Sequence, residues 1–487
     1  MNNKLNLTME QMVSFIRSGL EKTNKSKKIT IVGAGMSGLV AASLLKEAGH
    51  EVTILEINDR LGGRVFTKRQ PFINNQYVEL GAMRIPSVHL LTFEYINKFN
   101  LPVNEFINST PNDPIFVNNV LTQEKYYESN PHLLRFPLAP IEEGKTAEEL
   151  LKLAVDPVLK FVKQDPRKNW EIVINKYDQY SMENFLKDNP VGLSLSIGAV
   201  DMIEAIVGIE GFLELAFTSV LREVMILLEE DLKLYEITGG NDQLPNSFLN
   251  QLSDNLYFNQ QLTRIVQDNT SVSVFTDDKK KFTKHQVTSD IVIVTIPFSL
   301  LDFVQLFPYE SISYNKWKAI REMHYADSTK IGLQFKTRFW EKMGLYGGKI
   351  TTDLPIKFSY FPSHELGSNS TGVVLASYTW GSDAFIWDSM SEEDRIKKAL
   401  ENLSYIFGKI VYEEFIVGST HSWSDYPFSG GAFVMSKPYQ QKELGPYLRT
   451  PEGRIHFAGA HTSSTPGWIQ GAIESGVRVA YEVNKRE

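Results

Sequence analysis

A glycine-rich segment, Gly33-Ala34-Gly35-Met36-Ser37-Gly38, is the first part of the chain whose residue types and spacing indicate chemistry. Glycines in the pattern Gly-x-Gly-x-x-Gly permit a tight turn and let the backbone approach a pyrophosphate closely. Glu56 lies 18 residues beyond Gly38, where a carboxylate accepts hydrogen bonds from both hydroxyls of a ribose and repels a 2′-phosphate. We therefore predict a dinucleotide site on Gly33, Gly35, Gly38 and Glu56, with a purely structural turn as the alternative.

A second glycine motif follows directly after Glu56, in the segment Asn58-Asp59-Arg60-Leu61-Gly62-Gly63-Arg64. The paired glycines allow the chain to pass close to a ligand, and the Arg64 guanidinium can neutralise phosphate oxygens through charge-assisted hydrogen bonds. This additional contact segment indicates FAD rather than NAD.

The elements around these motifs predict a strand, a tight turn, a helix and a second strand. A β-branched run at 28–32 precedes the glycines, a helical run at 39–45 follows them, and a second β-branched run at 51–55 ends at Glu56. This is the order of a βαβ unit. Residues 131–231 have helical patterns with few glycines, and strand patterns return from Tyr235 onward.

We therefore predict a mixed α/β fold that contains a Rossmann-like FAD-binding domain built from discontinuous segments, a mixed-sheet substrate domain and an inserted helical subdomain. The predicted boundaries are 28–74, 237–323 and 445–487 for the FAD-binding domain, 5–25, 75–130 and 324–444 for the substrate-binding domain, and 131–236 for the helical subdomain.

Composition limits the class of protein. The 487 residues contain 42% apolar and 22% charged side chains, as globular proteins do, and the net charge of −8 without a dense basic run argues against nucleic acid as a partner. The absence of cysteine excludes disulfides, thiolate metal sites and a flavin tethered through sulfur. No apolar run suits a membrane span or a secretory signal, so we expect a cytoplasmic protein with no metal and no membrane partner.

Further motifs resemble the flavin-dependent amine oxidase family, and within it the L-amino-acid oxidases of the venom type. The resemblance extends over nearly the whole chain in order and spacing. It rests on the dinucleotide motif with Gly62-Gly63-Arg64 and on the segments 81–86, 239–245, 349–355, 457–462 and 467–469.

The resemblance implies two residues for the reaction itself. Arg84 matches the arginine that holds the substrate carboxylate, a task suited to the planar guanidinium. Lys330 matches the lysine that holds a water near flavin N5, where an ammonium would favour electron transfer to O₂. From the sequence alone, Arg84 could equally form a surface ion pair. Lys330 would be a solvated strand residue on the face opposite Ile331 and Leu333.

The resemblance also implies binding residues. Tyr378, Gly467 and Trp468 match positions at the substrate, although a tyrosine or a tryptophan is often only a core residue. The helix after Trp468 would direct its N-terminus at the flavin. The cofactor contacts implied in this way are Met36, Ser37, Glu56, Gly63, Arg64, Gly81, Ala82, Met83, Arg84, Leu262, Gly459, Gly467, Trp468 and Ile469.

Two positions depart from the family pattern. Ala460 replaces an acidic residue that binds the ribityl chain of the flavin. Val224 stands where venom-type enzymes have a histidine near the substrate, and no histidine occurs between His132 and His285. A histidine base from that segment is therefore excluded, and Ala460 is expected to weaken cofactor binding.

The resemblance thus implies oxidative deamination of L-amino acids by noncovalent FAD, with hydride transfer from the neutral amine to flavin N5 and release of a 2-oxo acid, ammonia and hydrogen peroxide. Partners are then an amino acid and O₂, and relatives suggest a homodimer or higher oligomer. An amine or polyamine oxidase, a flavin amino-acid monooxygenase and a flavin-bound interaction protein remain open on the same fold.

Overall fold

A parallel sheet assembles from short, β-branched strands that lie far apart in the chain. Lys28–Val32 pairs in parallel with Glu51–Leu55 on one side and with Ile291–Val294 on the other, for instance through Ile31 opposite Ile54 and Ile293. The order across the sheet is Leu256–Tyr257, Glu51–Leu55, Lys28–Val32, Ile291–Val294, Ile455–Phe457. This computed structural model describes residues 7–209, 211–229 and 231–486 and confirms the mixed α/β class.

Two long helices cover this sheet and pack against each other. Met36–Ala48 follows the first strand and is buried along most of its length, and Ile469–Lys485 ends the chain. Close contact between them depends on Gly476, where an added Cβ would lie 2.6 Å from the Ser37 carbonyl oxygen. The predicted strand, turn, helix and strand order at the glycine motif is therefore confirmed, and the helix extends three residues beyond each end of the predicted 39–45.

A second sheet shares a hydrophobic core with the first. Its strands lie in the order Thr283–Ser289, Val272–Asp278, Gln260–Gln267, Gln305–Phe307, and only the last pairing is parallel. The alternation of buried and half-buried residues in Val272–Asp278 agrees with a sheet that has one more deeply covered face.

The largest sheet is mixed and carries Lys330 on the strand next to one edge. Its order is Phe415–Ser422, Ser328–Phe335, Gly372–Trp380, Phe358–Tyr360, Lys349–Thr352, Pro114–Val117, Val120–Gln123. Pairing is antiparallel except between Lys349–Thr352 and Pro114–Val117. Smaller ladders join Thr67–Lys68 to Val78–Glu79, Tyr325–Ala326 to Phe433–Val434, and Leu234–Ile237 to both Ile85–Pro86 and Val103–Glu105.

Helices predominate in the segment 131–231, as the sequence predicts. They are Ala147–Gln164, Pro166–Tyr177, Met182–Lys187, Ile197–Ile203 and Phe217–Leu227. The apolar faces of these helices share one core with the largest sheet. The strand Leu234–Ile237 begins inside the segment predicted as helical, so the helical part ends slightly earlier than residue 236.

The remaining helices are Met9–Ser18, Leu90–Lys98, Glu124–Ser129, Gln243–Asn246, Leu249–Leu252, Phe298–Leu301, Tyr314–Glu322, Gly381–Asp388, Glu392–Phe407, Ile410–Glu414 and Gln440–Leu448. Met9–Ser18 buries Met12 and Ile16 against the body. Residues 5, 6, 210, 230 and 487, which the predicted domain boundaries include, lie outside the described residues. Among the helices described, none has both the length and the apolar character of a membrane span.

Candidate active site

Two large cavities lie side by side in the molecule. The first, of about 720 Å³, opens at the carboxyl ends of the parallel strands, where open α/β sheets bind ligands, and we call it the dinucleotide cavity. The second, of about 690 Å³, lies between the helical part and the largest sheet, and we call it the inner cavity. Both are lined by Ala82, Tyr378, Phe433, Gly467, Trp468 and Ile469. The two spaces are therefore adjacent, with one shared wall.

The glycine motif forms one side of the dinucleotide cavity. Gly33 has a φ of +105°, which favours glycine, and the helix that begins at Met36 has neither a side-chain cap nor an acidic residue in its first turn. Its first amide groups therefore remain available to an anion, and the helix dipole favours negative charge there. This arrangement suits the pyrophosphate of a dinucleotide.

The glycines of the motif serve two different purposes. A Cβ on Gly38 would lie 2.0 Å from the Gly33 carbonyl oxygen, so Gly38 is required by the fold itself. A Cβ on Gly35 would meet no protein atom within 4 Å, although Gly35 lines the cavity. The open space at Gly35 is what a ligand that approaches the backbone would fill, and the residues present fit a dinucleotide.

We expect Gly35→Ala to leave the apoprotein intact but to weaken FAD binding about tenfold or more, because the methyl group takes ligand space. Gly38→Ala is the contrasting variant, and it should lower the free energy of unfolding of the apoprotein by about 1–3 kcal/mol. Titration of each apoprotein with FAD and thermal melting of each would measure these effects. A Gly35→Ala variant that binds FAD as the parent does would contradict the assignment.

Glu56 and Arg64 line the dinucleotide cavity, as predicted. The buried Glu56 carboxylate accepts the Ala34 N–H at 2.7 Å and the Asn58 N–H at 2.9 Å, so the protein holds it in one orientation at the end of its strand. The Arg64 guanidinium donates to the Ala432 carbonyl oxygen at 2.9 Å, and burial lowers its pKa. Because Arg64 has no ion pair within the described ranges, its charge is available to a phosphate.

The last helix begins at the wall that the two cavities share. Ile469 is its first residue, no side chain caps it, and its first turn contains no acid. The Trp468 indole N–H donates to Glu223 Oε2 at 2.6 Å, which fixes the orientation of the ring. Tyr378 and Trp468 are thus cavity residues rather than core residues only, and the helix N-terminus can stabilise negative charge in the dinucleotide cavity.

Lys330 is buried in a strand that is covered on both faces, so the interpretation of this residue as a solvated lysine is wrong. Its ammonium donates to the Gly81 carbonyl oxygen at 2.7 Å and the Glu79 carbonyl oxygen at 3.2 Å, and it lies 3.9 Å from the centre of the Tyr378 ring. Burial lowers the pKa of Lys330 to about 7, against the attraction of the Glu79 carboxyl. Lys330 thus places a titratable ammonium in the wall of the dinucleotide cavity.

Arg84 lies in the inner cavity and makes no ion pair among the described side chains, so the surface ion-pair interpretation is also wrong. Its Nη1 donates to Asn108 Oδ1 at 2.5 Å, and its guanidinium carbon lies 5.8 Å from the centre of the Tyr360 ring. These neutral partners orient the guanidinium without neutralising it. A free, oriented guanidinium in a cavity is suited to bind a carboxylate.

The other predicted positions lie close by. All of the remaining candidates except Gly38 line one cavity or both. The dinucleotide cavity is lined by Met36, Ser37, Gly63, Gly81, Leu262 and Gly459, the inner cavity by Met83, and both cavities by Ala82, Gly467 and Ile469. Ala460 also lines the dinucleotide cavity, so the side chain missing there would have faced the ligand. Val224 lines the inner cavity, at the position matched to the histidine of the relatives.

Sequence reasoning missed two residues of the inner cavity. Asn108 is the hydrogen-bond partner of Arg84, and Glu223 is the partner of Trp468. Glu223 precedes Val224, so the departure from the histidine of the relatives indicated the correct place but not the correct residue. Neither residue belongs to a motif that spacing alone would reveal.

Comparison with known proteins shows what the chain is similar to. The family model described as "Flavin containing amine oxidoreductase" matches residues 36–484. YobN of Bacillus subtilis (strain 168) is 49% identical over 485 residues, with 100% of both chains covered. The L-amino-acid oxidase of Vipera ammodytes ammodytes is 36% identical, with 98% of this chain and 96% of the relative covered.

Solved structures are similar in fold. A putrescine oxidase, solved as a double mutant, has a TM-score of 0.78 at 20% identity, with 95% of this chain and 99% of that chain covered. The cyclohexylamine oxidase from Brevibacterium oxydans IH-35A has a TM-score of 0.76 at 17% identity, with 95% and 99% covered. At these identities the likeness concerns the fold alone.

Proposed function

Because the chain belongs to the family of flavin-containing amine oxidoreductases, we propose that it binds FAD noncovalently and oxidises L-amino acids. The products would be 2-oxo acids, ammonia and hydrogen peroxide. The observation that carries this proposal is the unpaired guanidinium of Arg84 in a cavity whose wall is shared with the dinucleotide cavity. The names of the relatives at 35–36% identity support it.

The residues of this chain supply binding and orientation. Arg84 would hold the substrate carboxylate, while Tyr378 and Trp468 would confine the substrate at the shared wall. When bound, FAD supplies the acceptor for the hydride that leaves the substrate Cα. The absence of cysteine from the sequence excludes a thioether link to the flavin.

Lys330 would act in the second half of the reaction. Its ammonium is held by two carbonyl oxygens beside the shared wall, and O₂ gains negative charge as it is reduced. A fixed positive charge in a site with little water stabilises such charge far more than it would in solution. Water near the ammonium could also hydrolyse the imine product.

Product analysis tests the proposal against its alternatives. Under air, an L-amino acid should give equal amounts of 2-oxo acid, ammonia and hydrogen peroxide. An amide and carbon dioxide in place of peroxide would indicate a monooxygenase. Turnover of amines without turnover of amino acids would indicate an amine oxidase. Either result would replace the proposed function.

We expect the rate constant of anaerobic flavin reduction to increase with pH. Hydride departure from Cα requires the lone pair of a neutral amine, so a bound ammonium must first lose a proton. Stopped-flow measurement between about pH 6 and pH 10 with a saturating amino acid would follow this dependence. A rate constant independent of pH would contradict the requirement for a neutral amine.

A further inference from the structure

Glu223 is a carboxyl group in the wall of the inner cavity that none of the roles above uses. It belongs to the helix Phe217–Leu227, and its Oε2 accepts the Trp468 indole N–H at 2.6 Å. Its Oε1 is buried and has no hydrogen-bond partner among the residues that the structure describes. Burial of an acceptor without a donor costs free energy, so we expect a ligand to supply the donor for this atom.

Glu223 lies close to the wall that the two cavities share. A Cβ added to Gly467 would lie 2.7 Å from Glu223 Oε2 and 3.2 Å from Oε1. Both Gly467 and Trp468 line both cavities. The free carboxyl oxygen therefore lies beside the place where a substrate in the inner cavity would meet a ligand in the dinucleotide cavity.

The neighbouring arginine on the same helix does not satisfy this carboxyl. Arg222 has no ion-pair contact with Glu223 in the described part of the chain, and its guanidinium carbon lies 4.6 Å from the centre of the Trp170 ring. Successive helix residues point about 100° apart, so Arg222 and Glu223 face different surroundings. Oε1 can therefore accept a hydrogen bond from a group that enters the inner cavity.

The inner cavity thus presents charges of both signs. Arg84 and Glu223 both line it, and both act on the Tyr378 hydroxyl, whose pKa is raised by burial and by the Glu223 charge and lowered by the Arg84 charge. An L-amino acid is a zwitterion with a carboxylate and an ammonium on one carbon. With its carboxylate at Arg84, its ammonium would find a complementary charge at Glu223, the carboxyl that lies against Gly467 and Trp468 at the shared wall.

We propose that Glu223 accepts the proton of the substrate α-ammonium and so prepares the amine for oxidation. This inference rests on the proposed function. In the step, one N–H bond breaks, its electron pair remains on nitrogen, and the proton forms an O–H bond with Oε1. The nitrogen lone pair then assists the departure of hydride from Cα, and the carboxylic acid returns its proton to solvent after the product leaves.

The electrostatic surroundings of Glu223 suit this role. Burial raises the pKa of Glu223 to about 7, against the lowering effects of the Trp468 hydrogen bond, the Arg222 charge and the Gly467 backbone N–H. His89 packs against Trp468 and stays neutral near pH 7, because burial lowers its pKa to about 4. The other charged residues that line the inner cavity are Arg84, Glu105, Glu148, Glu229, Asp231, Lys233 and Lys349. A carboxyl with a pKa near the working pH can both accept and return a proton.

Replacement of Glu223 by glutamine tests the inference. The amide oxygen still accepts the Trp468 N–H, but the side chain no longer takes a proton. We expect the anaerobic reduction rate constant near pH 7 to fall by about 10²–10⁴-fold. The rate should then rise roughly tenfold per pH unit toward the pKa of the substrate ammonium, instead of levelling off above about pH 7.

Two further variants keep the test decisive. Glu214→Gln removes an exposed carboxyl outside both cavities and should leave the profile unchanged. Trp468→Phe removes the hydrogen bond that lowers the Glu223 pKa, so the midpoint of the profile should move to higher pH. Retained FAD absorbance and melting temperature would show that each protein is folded.

The outcomes separate this inference from the proposed function. If the unmodified protein is reduced by amino acids but Glu223→Gln is reduced at the same rate at every pH, the role of Glu223 is overturned and the proposed function stands. An unchanged midpoint in Trp468→Phe would also overturn it. If no amino acid reduces the unmodified protein, the proposed function and the role of Glu223 are both overturned.

Discussion

Replacement of Arg84 by alanine should raise the KM for L-amino acids about a hundredfold or more, because the substrate carboxylate would lose its buried, charged partner. The KM for a matched amine, which lacks the carboxylate, should change little. The contrast follows from the surroundings of Arg84, whose contacts with Asn108 and Tyr360 orient the guanidinium but leave its charge free. Steady-state kinetics with an amino acid and with the amine of the same side chain measures the difference.

A lysine at this position provides the control for charge. Arg84→Lys keeps a cation but loses the planar pair of donors, so we expect an intermediate KM. Equal losses for amino acid and amine in Arg84→Ala would show that the residue supports the cavity in general and does not bind the carboxylate.

Replacement of Lys330 by methionine should slow reoxidation of the reduced flavin by O₂ about 10²–10³-fold, with a much smaller effect on reduction by substrate. Methionine fills the same buried space without the charge. Since the pKa of Lys330 is lowered to about 7, reoxidation of the unmodified protein should slow as pH rises and the ammonium deprotonates, while the variant should show no such dependence. Rapid mixing of reduced protein with oxygen gives both rate constants.

A second buried lysine offers a matched control. Lys316 has a pKa lowered to about 7 by burial, as Lys330 has, but it lines neither cavity. Its ammonium lies 3.8 Å from the centre of the Phe457 ring and donates to the Leu448 carbonyl oxygen. Lys316→Met should leave reoxidation unchanged. A similar slowing in both variants, or in neither, would contradict a specific role for Lys330.

Local rules predicted the elements that carry the glycine motif and Glu56. The glycine motif, the strands beside it and the position of Glu56 all lie within one short βαβ unit, so spacing along the chain determines their arrangement in space. The same rules failed for Lys330. Alternation of apolar residues predicts a strand with one solvent-exposed face, but both faces of Ser328–Phe335 are buried.

The inner cavity was harder to predict because its residues come from distant segments. Arg84 and its partner Asn108 come from the part before the helical segment, Glu223 comes from inside that segment, and Tyr378 comes from the largest sheet. Only tertiary packing brings them together. The resemblance to a family supplied Arg84 and Tyr378, but it could not supply Glu223, which no matched position indicated.

Some elements were missed for simpler reasons. The strand Thr283–Ser289 is mostly exposed and polar, so its apolar pattern is weak. The part of the chain after Tyr235, where strand patterns return, also contains the helices Gly381–Asp388, Glu392–Phe407 and Ile410–Glu414. Their apolar residues pack at the edge of the largest sheet.

Anaerobic mixing of the purified, yellow protein with a panel of L-amino acids tests the central claim most directly. The flavin absorbance should bleach with at least one amino acid, at concentrations far below those that the corresponding amine needs, because only the amino acid carries the carboxylate that Arg84 would bind. A flavin that stays oxidised with every amino acid, or a polypeptide that does not take up FAD, would contradict the account.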